Sequence, residues 1–137
     1  MAVTLEQVRD LLNAEEPEYH RLASVLGQEA LPHLDTMIRG SEVGLAAKAA
    51  SLAGVIGGER SIRALDLAAR HQHRVVRVAA AAATRHAGAS AATPVLLRLL
   101  DDDDAGVRRT AMKHVGDNPS SELQDKVDRL RARGEGT

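Results

Sequence analysis

The residues best suited to chemistry in this chain lie close together: Arg70, His71, His73, Arg74 and Arg77, then Arg85 and His86. Side chains of these types offer hydrogen-bond donors and positive charge to an acidic partner or to phosphate. His71 and His73 could also offer imidazole nitrogens to a metal. Zinc, however, takes three or four ligands at recognisable spacings, and no Cys or His-Glu dipeptide completes such a set. The run Asp101, Asp102, Asp103, Asp104 lacks the glycine and the distal glutamate of a calcium loop. No Gly-rich phosphate loop, nucleophile elbow or thiol nucleophile occurs. The chain therefore reads as non-catalytic, with no metal or other cofactor expected.

Charge is distributed unevenly. Residues 1–60 carry 5 Lys+Arg against 9 Asp+Glu, residues 61–100 carry 6 against 1, and residues 101–137 carry 7 against 9. The net formal charge of −1 is too balanced for a dedicated nucleic-acid binder, whose domains run strongly basic. No signal peptide and no stretch of about 20 apolar residues is legible, so no membrane segment is expected and the cytoplasm is the expected location.

The elements that carry these residues follow from composition and periodicity. With no Trp, no Phe and 1 Tyr, the core of this 137-residue chain must be built from Ala, Leu, Val and Ile. Small side chains and high helix propensity favour closely stacked helices over a β-sandwich. Shifting the chain by 31 residues aligns Leu34, Leu65 and Leu96, then Leu45, Val76 and Val107, then Ala49, Ala80 and Ala111, with Gly57 matching Gly88. The last two sets are an i, i+4 pair, so they share one helix face. Three helix–turn–helix units are predicted within 29–116: helices 29–38 and 42–56, helices 61–70 and 74–87, and helices 93–100 and 105–115. Ser61 and Thr93-Pro94 are expected to open helices. Residues 1–28 are expected to form a capping helix pair, opened by Thr4 with Gln7 and closed by Gly27. Residues 117–133 are expected to form a C-terminal capping helix opened at Pro119-Ser120-Ser121, and 134–137 a frayed tail.

Val107-Arg108-Arg109-Thr110-Ala111 after the four aspartates, and Val76-Arg77-Val78-Ala79-Ala80, resemble the HEAT-like (armadillo/HEAT-type) helical repeats. The first unit departs from that pattern, with Leu45-Ala46 in place of Val-Arg. The resemblance covers 29–116 and implies an all-α fold, a short right-handed α-solenoid of about four to five antiparallel helix pairs in one domain. It is nearly silent on function, because such solenoids host many roles. Enzymes with this repeat style use features this chain lacks: channel aromatics in alkylpurine DNA glycosylases, and His-Glu pairs in deoxyhypusine hydroxylases.

Two surfaces stand out in this frame. The turn at Arg70, His71 and His73 matches the turn at Asp101 to Asp104 one unit later. Stacking would put them side by side, so the basic turn either neutralises the acidic one, Arg74 against Asp103 for instance, or meets an acidic partner. The second surface is a stripe of Val75, Ala79, Ala82 and His86, separate from the core stripe through Val76 and Ala80. The resemblance implies that such helices line the concave face, edged here by Lys48, Arg85 and Lys113. A contiguous exposed apolar strip marks an interaction site. His114 falls where Ala83 and Leu52 stand, and is expected to point inward. The resulting expectation is a scaffold that binds another protein through Arg70, His71, His73, Arg74, Val75, Arg77, Ala79, Ala82 and His86. The alternatives are a nucleic-acid-associated module using Arg70, Arg74, Arg77 and Arg85 on phosphates, and an inhibitor or immunity-type partner of one enzyme.

Overall fold

The structure, a computed structural model, describes residues 2–136, save the side chain of Ala89. All regular structure among these residues is helical: α1 (Leu5–Leu12), α2 (Tyr19–Leu26), α3 (Leu31–Arg39), α4 (Val43–Ile56), α5 (Glu59–Ala69), α6 (Arg74–Ala83), α7 (Ala89–Leu100), α8 (Ala105–Lys113) and α9 (Ser121–Ala132).

Local sequence accounts for most of the boundaries. Thr4 and Gln7 form a reciprocal capping box at the start of α1, so two otherwise orphaned N–H groups are satisfied. Ser120 caps α9 by accepting from Leu123 N–H at 3.3 Å. Gly57 and Gly88 end their helical stretches at φ +76° and +84°, a left-handed region that other residues avoid.

Four boundaries differ from the sequence reading. Ser61 does not cap α5, which begins at Glu59 after Gly58. Ser61 is instead fully buried and its hydroxyl donates to the Ala53 carbonyl of α4, bonding the two helices together. Thr93-Pro94 does not open α7, which starts at Ala89 and keeps Pro94 inside. Ala92, fully buried, extends the packed face backwards. The missing Pro94 N–H leaves the carbonyl of Ser90, an exposed residue, which water can serve. α6 stops at Ala83 and tightens into a 3-10 turn, Thr84–His86, instead of continuing to residue 87. The tail is anchored rather than frayed at Glu135, which binds Arg108 and Arg133 at 2.7 Å each; Thr137 lies outside the described residues.

The helices form two rows. α3, α5, α7 and α9 pack in succession along one row, and α2, α4, α6 and α8 along the other. Helices α3 to α8 also meet their chain neighbours across the rows, as in α3 with α4, α5 with α6 and α7 with α8. The three aligned leucines Leu34, Leu65 and Leu96 are fully buried, as are Ala49, Ala80 and Ala111. Small residues let helices pack closely, as where Gly54 of α4 faces Ala83 of α6. α4 buries residues on almost every side, from Leu45 to Gly54, because it packs against α1, α2, α3, α5 and α6.

Candidate functional site

The turn before α6 is built like the turn before α8, with histidines standing where the later one has aspartates. His71 Nδ1 accepts from His73 N–H at 2.9 Å, and His73 Nδ1 caps α6 by accepting from Val75 N–H at 3.3 Å. One unit on, Asp102 Oδ1 accepts from Asp104 N–H at 2.9 Å, and Asp104 Oδ2 caps α8 through Val107 N–H at 3.0 Å. An arginine closes each turn. Arg77 Nη1 donates to the carbonyls of His71 and Gln72, both at 2.9 Å, and Arg108 Nη1 donates to those of Asp102 and Asp103 at 2.8 and 3.0 Å.

These arginines also join successive turns. Arg77 Nε reaches Asp102 Oδ2 at 2.8 Å, and Arg108 Nε reaches Glu135 Oε1 at 2.7 Å. Arg74 approaches Asp104, at 3.6 Å, and not Asp103. Arg70 turns back to Asp66 at 3.0 Å, and Lys126 of α9 binds Asp101. Val107 N–H, outweighing a smaller desolvation effect, and then Arg74 hold the Asp104 carboxyl below the usual carboxylate range. Arg108, its hydrogen bond first, does the same for Glu135. Arg77, His71 and His73 therefore have structural tasks within the turn itself. Arg70 and Arg74 keep side chains 54% and 70% exposed while paired.

The stripe on α6 has a different character. Val75 is 46% exposed, and Ala79, Ala82 and His86 are half-buried along the same face. The stripe runs into a groove of about 410 Å³ between α2, α4 and α6, whose walls include Tyr19, His20, Ser51, Val55, Ala82 and His86. Ser51 donates to the Ala47 carbonyl at 3.2 Å. Burial raises the Tyr19 hydroxyl above its ordinary value, and the Ser51 contact opposes that shift. At the far end, the His20 and His86 rings meet edge to face, 5.5 Å apart at 80°. Arg85 Nε donates to His86 Nε2 at 3.1 Å, which puts the His86 proton on Nδ1. Burial first, then Arg85, His20 and His114, push His86 below its ordinary value. Burial, Arg85 and Lys113 do the same to His114.

Two rim residues sit otherwise than expected. Lys48 donates to the Ala14 carbonyl at 2.7 Å, so it ties the α1–α2 connection to α4 instead of edging the stripe freely. His114 does not enter the core but stands half-buried at the end of α8, near Arg85 and Lys113. Ser51 and Val55 lie one repeat period before Ala82 and His86, a signal that the sequence contained and that its reading did not use. Tyr19 and His20 arrive from α2, outside the repeat frame, with no such signal.

Among the described residues, no three His, Asp or Glu side chains are grouped so as to hold a metal ion, and no helix is long and apolar enough to cross a membrane. Compared with protein-family models and with curated proteins, the chain matches none.

Proposed function

We propose that this chain is a non-catalytic scaffold that binds another protein along the α6 face, with the cytoplasm as its compartment. In this reading the two rows of helices are a short right-handed HEAT-like solenoid of about four to five pairs, in which α2, α4, α6 and α8 line the concave side. The repeated arginine clamp, Arg77 then Arg108, supports a common repeat unit. The observation that carries the functional reading is Val75, which is 46% exposed above Ala79 and Ala82 on a face with no acidic side chain. A solvated helix face would carry Glu or Lys there. Small residues bury little area, at about 25 cal/mol per Å², so the partner must bring the large apolar anchors.

Three of the four arginines that a phosphate-binding role would use are paired with acids: Arg70 with Asp66, Arg74 with Asp104 and Arg77 with Asp102. This favours a protein partner over nucleic acid. An inhibitor or immunity-type role would use the same face, with an enzyme as the partner. The test is Ala79→Glu, read by circular dichroism, thermal melting and affinity capture from the native source. The expected result is native helicity and melting, with the captured partner lost. A variant that fails to fold would make the stripe core, and a folded variant that keeps its partner would move binding elsewhere.

A further inference from the structure

We propose that the groove end where His20, Arg85, His86 and His114 converge binds an oxyanion, presented by the partner protein as a carboxylate side chain. The partner half of this inference rests on the scaffold reading, while the chemistry of the site stands apart from it.

Arg85 differs from the arginines of the turns. Arg74, Arg77 and Arg108 each have a carboxylate within ion-pair distance, whereas among the described residues Arg85 has none. Its Nε is engaged with a neutral imidazole nitrogen. Its two Nη groups make no hydrogen bond among the described residues and remain open for a planar, two-point acceptor. The groups acting on His86 are all cationic or able to become so: Arg85 beside it, His20 from α2 and His114 at the end of α8. Lys113 adds a further charge next to His114. The other elements packed on this turn bring no acid. α4 presents Ser51 and Val55 while its Lys48 is turned to Ala14, and the first turn of α7 carries no ionisable side chain.

Two fixed cations, Arg85 and Lys113, stand with three imidazoles and, among the described residues, no acid beside them, an incomplete arrangement. Burial and then Arg85 disfavour the charged form of His86, whose Nε2 accepts from Arg85 Nε. An oxyanion seated against Arg85 would supply the missing negative charge. His114 could then take up a proton, and so could His86 once its Nε2 gives up the bond it accepts from Arg85 Nε, and each imidazolium would add a donor. Binding and protonation are linked, so affinity should rise as pH falls. Val55 and Ala82 on the groove wall exclude water from one side, which strengthens the pairing.

The test uses the full chain with sodium sulfate, whose charge is constant between about pH 6 and about pH 7.5, a range that spans the ordinary imidazole value. Ionic strength is held fixed with chloride. Binding is followed by calorimetry and by the imidazole resonances of His20, His86 and His114. Sulfate should bind at least about threefold more tightly at the lower pH and raise the His86 midpoint. Arg85→Gln should abolish both effects, while Arg63→Gln, at an exposed position on α5, should leave them intact. Equal sulfate response in wild type and Arg85→Gln, or a pH-independent response, would overturn the site. A capped peptide with glutamates among leucines, compared with its glutamine version, tests the source. Absence of a glutamate preference would overturn the carboxylate assignment and leave a site for a free inorganic oxyanion. The sulfate result stands whatever Ala79→Glu does to a partner, so the two readings fail separately.

Discussion

Arg77 of α6 grips Asp102 in the turn before α8 through two contacts, Nε to Oδ2 at 2.8 Å and Nη2 to Oδ1 at 3.3 Å, with side chains only 18% and 9% exposed. The same guanidinium closes its own turn, so one side chain couples two neighbouring turns. Ala46, one period earlier, is fully buried and can make no such clamp. The turns before α6 and α8 are therefore linked in a way that the turn before α4 is not.

Removing Arg77 strands a nearly buried carboxylate and frees two carbonyls. Arg77→Ala should cost about 2–4 kcal/mol in chemical denaturation, and Arg77→Lys should recover less than half, because an ammonium cannot make the fork. A double-mutant cycle with Asp102→Asn should show coupling of about 1 kcal/mol or more. Additive losses would mean that the pair contributes nothing as a pair.

Gly54 and Gly44 both lie in α4, and alanine should act on them in opposite directions. A methyl group at Gly54 would come within 2.7 Å of Ala83 Cβ and 2.8 Å of its carbonyl oxygen, atoms of α6 that cannot swing aside. Overpacking of this kind costs about 1–3 kcal/mol and exceeds the gain in helix propensity of about 1 kcal/mol. At Gly44 nothing lies within 4 Å, so Gly44→Ala should stabilise by about 0.5 kcal/mol. Equal effects of the two substitutions on the melting temperature would refute the close α4–α6 crossing.

His73 caps α6 with a ring nitrogen where Asp104 caps α8 with a carboxylate. Asn is a better cap than imidazole, and His73→Asn should stabilise by about 0.5 kcal/mol. His73→Asp should gain less at low salt, because Asp103 and Asp104 line the same hollow, whose Arg77 and Arg74 are already paired with Asp102 and Asp104. Added salt screens that repulsion, so the two variants should converge as ionic strength rises. A stability order insensitive to salt would rule out the repulsion.

Acid should weaken the fold through His86 and His114. Both imidazoles are held below their ordinary value, chiefly by burial, so the unfolded chain takes up protons first as pH falls. Stability is therefore complete above about pH 6.5 and declines below it until the folded-state values are reached. His86→Gln combined with His114→Gln should flatten melting temperature against pH across that window. An unchanged slope in the double variant would assign the acid sensitivity to other groups. Sulfate should oppose the decline in the wild type only, if the proposed oxyanion site exists.

By itself the sequence determined the helical class, the burial of Leu34, Leu65 and Leu96 and of Ala49, Ala80 and Ala111, and the ends at Thr4, Gly27 and Ser120. The caps depend on residues within a turn of one another, and the buried leucines and alanines recur every 31 residues, so both signals are legible along the chain. Ser61 and Thr93-Pro94 look like caps on the same local grounds, yet packing drew both inside their helices. A hydroxyl bond from α5 to α4 and a buried Ala92 outweighed the cap preference. Tertiary structure alone decided that Arg77 would be engaged by Asp102, 25 residues on, while Arg85 kept a free edge. It alone brought Tyr19 and His20 of α2 against α4 and α6 to wall the groove. The physical reason is range: an ion pair or groove wall formed between distant segments depends on how whole helices stack, and no local pattern encodes that path.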